Sequence, residues 1–547
     1  MSPPLLSNVI ITMMDLTCGH VAILAVSVMF LLVASQRRRR DHFPMAPGKL
    51  PLIGHALALA DSDKFYSVIQ EWIAGVGQQE GIYEFNLLGK RWIVLCSTES
   101  VMACLKLRPF KMIRAKILSR SIDSLNGDGI FSSNGDQWRR ERRIVGPALN
   151  QNHVRDFFPS IQLVAKRLVQ KWTKAAAQKV DIPAANLDMT AFALDIVALS
   201  ILGLDINTIH HPENQLAKDV EELFRITFLR TLVPIPYWKI PIIGPYLDGF
   251  REGNQRIVAT LMSKVQEYRK RKANDDTSID NAKNQTFVEK IIDISEGEKV
   301  KLNDEQIVGN LLTVFVAATD TASNTVSFSL WELANDLALQ DELYQEVIEY
   351  TNGSGKRSLD DLTMEDALEC FPRLRSFLFE MLRLKGPGPL LFFEPVESME
   401  FLGKTVEPGD VLVTVGPSYP HNKKTTKSEV PFGPNGEPPQ EFCARRWLTT
   451  EPQEEKKEDV SPTCIIGFRP KLIVPSNREA GFLAFGHGLR VCPGKMYAHV
   501  EMVTVMVHLL HNFRITPAKD CPKMTVVSRF TETFAEDLKL TLTSRGN

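Results

Sequence analysis

Residues 482–494 read Phe-Leu-Ala-Phe-Gly-His-Gly-Leu-Arg-Val-Cys-Pro-Gly, with Gly486, Gly488 and Gly494 set around Cys492 and Arg490. Glycine permits positive φ and close backbone approach, so this loop can curl until its amides point at the Cys492 sulfur. Pro493 suits the first position of a helix that starts here. A thiolate at a helix N-terminus is stabilised by the dipole and by free N–H groups. Cys492 therefore reads as a cysteine held as an anion and ready to bind a metal.

Companion ligands are missing from its neighbourhood. The other cysteines are Cys18, Cys96, Cys104, Cys370, Cys443, Cys464 and Cys521; none makes a Cys-x-x-Cys, and no His pair stands beside them at zinc-finger spacing. Zinc and iron–sulfur clusters are poor fits. So few cysteines in so long a chain do not make a disulfide framework, and most read as reduced, buried thiols facing a cytosol-like compartment. Heme, which brings four nitrogens of its own, needs one axial protein ligand. Phe485, Gly486, Gly488, Arg490, Cys492 and Gly494 fill every fixed position of F-G-x-G-x-R-x-C-x-G, so the loop resembles the signature of the cytochrome P-450 superfamily. A Gly-rich turn with an incidental buried cysteine would have to meet all those positions by chance.

Three more segments resemble the family in family order. Trp138 and Arg142 lie four apart and share a helix face, like the W-x-x-x-R whose indole and guanidinium reach a heme propionate. A Trp/Arg pair on a helix is otherwise usually surface packing. Glu380-Met-Leu-Arg383 is similar to the family's E-x-x-R, which the resemblance completes with Arg446 from Phe442-Cys-Ala-Arg-Arg-Trp447. That buried network would fix the core behind the heme. Two departures stand out: Ala444 and Arg445 replace the usual Pro and acidic residue, and Phe393 stands where relatives often carry a second propionate-binding Arg. The expectation is a propionate held by Trp138, Arg142 and Arg490 without help from the Phe393 segment.

Asn303-Asp-Glu-Gln306 forms a capping box opening a helix to about Asn335, about 48 Å long at the standard rise. A carboxylate and hydroxyls at Asp320 and Thr321 inside so apolar a helix are costly unless used; the bland alternative has Asp320 facing solvent and Thr321 bonded to the preceding turn. The run Ala317-Ala-Thr-Asp-Thr321 is similar to the family's [A/G]-G-x-[D/E]-T, with Ala318 replacing the second Gly. The resemblance implies room for dioxygen beside Ala317 and Ala318, a hydrogen bond from Thr321 to the reduced dioxygen, and proton relay by Asp320 through water.

The 547 residues carry 64 Lys+Arg against 65 Asp+Glu, so the net charge of -1 supplies no global field for nucleic acid. Residues 21–34 are apolar apart from Ser27, and Arg37, Arg38, Arg39 and Arg40 follow at once. Charge after the apolar stretch argues for an uncleaved anchor with everything downstream cytoplasmic, against a signal peptide cleaved near Ala34. No second segment is comparably long and charge-free. Pro44, Pro47 and Pro51 then make a stiff connector. Helical periodicity covers 138–175, 187–204, 214–231, 250–273, 303–335, 338–351, 372–385 and 494–512; Arg91–Leu95 and Asp410–Thr414 read as strands. Polar loops fall at 273–284, 422–440 and 449–459.

The resemblance, to the microsomal membrane-anchored type, implies a mainly α fold with small β-sheets behind one N-terminal transmembrane helix. It divides into anchor 1–41, connector 42–56 and heme-thiolate domain 57–547. It implies heme b on Cys492, with Trp138, Arg142, Phe485 and Arg490 around it, and Asp320 and Thr321 as catalytic groups. The reaction would insert one oxygen atom from dioxygen, with NADPH and flavin acting only through a partner NADPH-cytochrome P-450 reductase. No flavin or dinucleotide fingerprint is present in the chain. The rivals are a same-fold isomerase or dehydratase that needs no NADPH, and a non-catalytic membrane heme binder. Substrate-pocket positions by resemblance are Phe224, Phe228, Phe315, Ala317, Leu390, Leu391, Phe392 and Phe534, which suit a terpenoid-like or fatty-acyl-like molecule and equally suit ordinary core. Lys111, Arg114, Lys116 and Arg120 could hold a substrate carboxylate at the pocket mouth, with Arg114 matching a common family pattern, although most such charges end up on a solvated surface.

Overall fold

The computed structural model describes residues 42–547 except 62–63, 123–128, 234–235, 243, 275–284, 353–356, 389, 417–429, 450–470, 476–481, 529–530 and 546–547. The expected anchor, and all but Thr449 of the 449–459 loop, lie outside the described residues. The rest is mainly helical. The axis of the fold is the helix Asp304–Asn335, opened by the capping box in which Asn303 Oδ1 accepts from Gln306 N at 2.8 Å and Gln306 Oε1 accepts from Asn303 N at 3.1 Å. Its internal hydroxyls are spent locally: Thr319, Thr325, Ser327 and Ser329 each donate to the carbonyl four residues back, which lets a Ser/Thr-rich helix be buried.

Alongside it packs Ala185–Leu202, the one helix among the described residues long and apolar enough, by length and composition, to cross a membrane. It is 72% buried and so is accounted for as a core helix. Its two acids are used: Asp188 accepts from Lys171 and Trp172, and Asp195 from Thr208. The single run expected over 138–175 is two helices, Gly135–Ala148 and Gln151–Ala177, separated where Asn150 caps the second by accepting from His153 N. The helix after the cysteine loop starts at Lys495, two residues beyond Pro493, with Gly494 as its N-cap.

Five strands form the main sheet in the order β1-β2-β7-β4-β3: β1 (Ile82–Leu87), β2 (Lys90–Leu95), β3 (Met112–Arg114), β4 (Leu390–Pro395) and β7 (Val411–Val415). Only β2 and β7 run parallel. The period of two is clear: Trp92 and Val94 bury into the cluster on one face, Ile93 and Leu95 into that on the other. Between β4 and β7 lies the hairpin β5 (Met399–Phe401) and β6 (Lys404–Val406). Near the C-terminus β8 (Phe513–Pro517) pairs with β11 (Leu540–Ser544), and β9 (Val526–Ser528) with β10 (Glu532–Phe534). The register of the β3/β4 edge sets Arg114 directly opposite Phe393, which matters below. Among the described cysteines Cys96, Cys104, Cys443, Cys492 and Cys521 are free, whereas Cys370 is disulfide-bonded, so the reduced reading fails for that one.

Candidate active site

The cysteine loop is shaped by two left-handed glycines, Gly486 at φ +75° and Gly488 at φ +65°, conformations a side chain would strain. They allow Cys492 N to donate back to Phe485 O at 2.8 Å and Gly486 N to Leu483 O at 2.8 Å. Cys492 has exposed surface area, yet burial among its neighbours pushes its thiol pKa up. The Gly494 N–H, then Arg142, then Lys495 pull in the opposite direction and favour the thiolate.

Arg490, two residues earlier, stacks its guanidinium 4.4 Å from the Trp138 ring centroid and donates to Ser133 O at 2.7 Å and Asn134 Oδ1 at 3.1 Å. Asn134 also accepts from Arg114 N at 3.0 Å and donates to Arg114 O at 3.1 Å, so one amide ties the cysteine loop to strand β3. It stands at the N-cap of the Gly135 helix but makes no capping bond with its side chain, having been diverted to this tie. Nothing in the sequence beyond its N-cap position marks it out.

Behind the loop, Glu380 accepts from Arg383 Nη2 at 2.7 Å and Nε at 2.9 Å, Arg446 Nε at 2.9 Å, Cys443 N at 3.1 Å and Trp447 Nε1 at 3.2 Å. All three charged side chains are fully buried. The divergent Arg445 points outward to Glu342 at 2.6 Å, and Ala444 contributes only its carbonyl, to Ser376.

Across the fold a cavity of about 170 Å³ opens along the central helix. Leu312, Thr313, Val316, Ala317, Asp320 and Thr321 line it, a stripe with the four-residue spacing of one helix face. Phe224, Leu390 and Leu391 belong to the wall, joined by Ile122, Phe131, Leu223, Thr227, Gly388 and Thr531. Phe228 and Phe392 line a smaller adjoining chamber with Arg114 and Phe131. Phe315 and Phe534 do neither. Phe315 faces the helical core and Phe534 stacks edge-on against Phe328 at 4.8 Å, so these two are core residues rather than pocket residues.

Thr321 Oγ1 donates to Ala317 O at 2.8 Å, the local bond of a mid-helix threonine. Asp320 does not simply face solvent. Thr531 donates to its Oδ2, and Asn324 Nδ2 approaches Oδ1 at 3.3 Å. Thr531, from the turn before β10, was invisible to sequence reading because only tertiary contact brings it to the helix.

Of the four cations before Trp138, Lys111 is exposed and Lys116 pairs with Glu394 at 3.4 Å from an exposed position. Arg120 is half-buried, and Arg114 alone is buried. Arg114 Nε and Nη1, Arg108 Nη2 and Arg490 Nη1 are buried without a hydrogen-bond partner. Orphaned guanidinium donors tied through Arg490 to the loop of a solvent-accessible cysteine fit a group with carboxylates on its edge and a metal at its centre, as heme has. Cys492 would hold its iron, and Trp138, Arg142, Arg490 and Arg114 would be the groups that meet its propionates.

Comparison with known proteins agrees with this geometry. The family described as Cytochrome P450 matches residues 44–529. The chain is 22% identical over 502 residues to "Cytochrome P450 monooxygenase ALT8" of Alternaria alternata, covering 83% of this chain and 81% of the relative. It is 24% identical over 516 residues to "Cytochrome P450 71D18" of Mentha gracilis, covering 91% and 92%. Among solved structures, the cytochrome P450DA heme domain superposes with a TM-score of 0.70 at 20% identity, covering 92% of this chain and 99% of that one. With a family match over most of its length, a shared fold and a solvent-accessible cysteine in the loop that resembles the family signature, this chain belongs to the cytochrome P450 family of heme monooxygenases.

Proposed function

We propose that this oxidoreductase inserts one oxygen atom from dioxygen into a neutral lipophilic small molecule, terpenoid-like or fatty-acyl-like, with electrons from NADPH through NADPH-cytochrome P-450 reductase. The observation that carries the reading is the stripe of Ala317, Asp320 and Thr321 in the wall of a mostly apolar cavity. Apolar walls with a few placed polar groups are how small-molecule sites combine affinity with orientation. Among the described residues the main cavity wall holds no Lys, Arg or His, which favours a neutral substrate over the acid that Arg114 and Arg120 suggested.

Heme b, held by the Cys492 thiolate, supplies the activation of dioxygen. The chain's own groups do the rest. Arg142 and Lys495 favour the anionic form of Cys492. Phe485, whose carbonyl receives the Cys492 N–H, packs beside the sulfur loop. Ala317, small and with its surface open in mid-helix, leaves space next to the reacting position. Thr321 can redirect its hydroxyl proton from the Ala317 carbonyl into the cavity, and Asp320, tethered by Thr531 and Asn324, can pass protons inward through water. Glu380, Arg383 and Arg446 keep the loop's supporting wall rigid. In this reading residues 1–41 are the membrane anchor and basic stop-transfer that hold the chain once in the endoplasmic-reticulum membrane, 42–56 is the connector, and domain 57–547 faces the cytosol.

Cys492→Ser tests the ligand assignment. It should lose the thiolate-type spectrum of the reduced carbon monoxide adduct, whereas Cys443→Ser and Cys521→Ser keep it. Retention of that spectrum in Cys492→Ser would overturn the assignment. Screening metabolites by binding spectra, then measuring substrate-dependent NADPH and dioxygen consumption, tests the reaction class. Turnover without either co-substrate would point to an isomerase or dehydratase.

A further inference from the structure

We propose that Arg108 is a propionate-binding residue of this enzyme, supplying from the end of the Thr98–Lys106 helix the cation that position 393 lacks. The inference rests on the heme reading above. Phe393 occupies the β4 site opposite Arg114, and its ring is flanked by two guanidiniums: Arg108 Cζ lies 4.7 Å and Arg114 Cζ 5.3 Å from its centroid. The aromatic ring thus acts as a platform that orients two arginines instead of being one.

The charges around them are of one sign. Arg108 and Arg490 both act on Arg114, and Arg108 acts on Arg490. Among the described residues the one acid acting on Arg108 or Arg114 is the Cys104 thiol, which burial pushes up to about 12 and so keeps neutral. Glu141, the carboxyl nearest in effect to Arg490, is already engaged by Ser133 and Gln137. Arg108 and Arg114 are only 9% and 7% exposed, and they carry one and two orphaned nitrogens respectively. Buried cations with free donors and no carboxylate are strongly unfavourable unless an anion enters among them. A pair of carboxylates attached to a buried planar group supplies that anion, and Arg490 fixes the cluster to the loop carrying Cys492. A substrate carboxylate has the same chemistry, and the experiment separates the two sources.

The holoenzyme carrying Arg108→Gln should still form the heme-thiolate carbon monoxide adduct. It should release heme to apomyoglobin roughly tenfold faster, since a charge-assisted hydrogen bond is lost, and its reduction potential should fall because a cation near the heme is gone. Arg108→Lys should lie between it and the parent. Phe393→Arg placed in the Arg108→Ala background should recover part of the heme retention, which a merely structural role for Arg108 would not allow. Unchanged heme release and potential in Arg108→Gln would overturn the inference while leaving the heme reading intact; absence of any thiolate-ligated heme in the parent protein would overturn that reading instead. An effect of Arg108→Gln confined to KM for an acid, absent for its methyl ester, would assign the cluster to substrate and likewise overturn it.

Discussion

Deleting the Glu380 carboxylate is a perturbation whose cost can be worked from the network itself. Glu380 receives its bonds at two distinct oxygens: Oε1 from Arg383 Nη2, Arg446 Nε and Cys443 N, and Oε2 from Arg383 Nε and Trp447 Nε1. Glu380→Ala would leave two guanidiniums in a fully buried site. They would keep neutral partners, Arg383 on Pro439 O and Arg446 on Pro431 O and Glu441 O, but lose their shared counter-charge. Stripping one member from a buried ion network costs about 3–5 kcal/mol, a large share of a total stability of about 5–15 kcal/mol. Glu380→Gln fares little better, because whichever way the amide turns, its N–H₂ meets donors. The triple change Glu380→Leu, Arg383→Met, Arg446→Met should be milder than Glu380→Ala alone, since no charge is stranded. Urea unfolding followed by heme absorbance and tryptophan fluorescence measures all three. A Glu380→Ala protein within about 1 kcal/mol of the parent, or a triple variant worse than it, would refute the reasoning.

Thr321→Ala should keep heme and substrate binding while diverting NADPH-derived electrons to hydrogen peroxide; full coupling to product would remove its role. Thr531→Val removes one of the tethers of Asp320 and should raise the solvent isotope effect and peroxide yield, with Thr531→Ser restoring both and no added effect in an Asp320→Asn background. Burial lifts Glu532 to about 7 from 4.5, so its contribution to stability is full below pH 4.5 and is lost as pH rises to about 7, a change of about 3 kcal/mol. Glu532→Gln should flatten the stability–pH curve between those limits, and an unchanged slope would contradict the assignment. Asn284 and Asn352, both in glycosylation sequons, should carry no glycan on native protein, and glycans there would reverse the proposed membrane orientation.

What the sequence made legible was what is local. The φ demands of Gly486 and Gly488, the Asn303/Gln306 box and the three-residue spacing of Glu380 and Arg383 are each set within a few residues, and all are present in the fold. Arg446 could be placed by resemblance alone, since its partner lies a long way back in the chain. The cation cluster was not legible at all. Arg114 read only as a charge at the pocket mouth because the sequence gives no β3/β4 register; with that register fixed, it stands opposite Phe393 and within the field of Arg490 while also lining the smaller chamber. Arg108 had no signal beyond being one more basic residue in a basic stretch.

Of the two misplaced pocket residues, Phe315 follows from a different cause, which is phase. Being apolar cannot separate a cavity wall from a core, since both exclude water. Phase can. Once Thr321 is taken to face the cavity, the residues four and eight earlier, Ala317 and Thr313, must share its face, together with the adjacent row Asp320, Val316 and Leu312. Phe315 falls on neither row and belongs to the core by periodicity alone. In the C-terminal hairpin the strand begins only at Glu532, so Thr531 in the turn before it sets no phase for Phe534, which packs on Phe328 one turn beyond the Asn324 that Thr531 approaches. For a pocket built on regular elements, one securely placed side chain per element fixes the rest, and aromatic character adds nothing to that assignment.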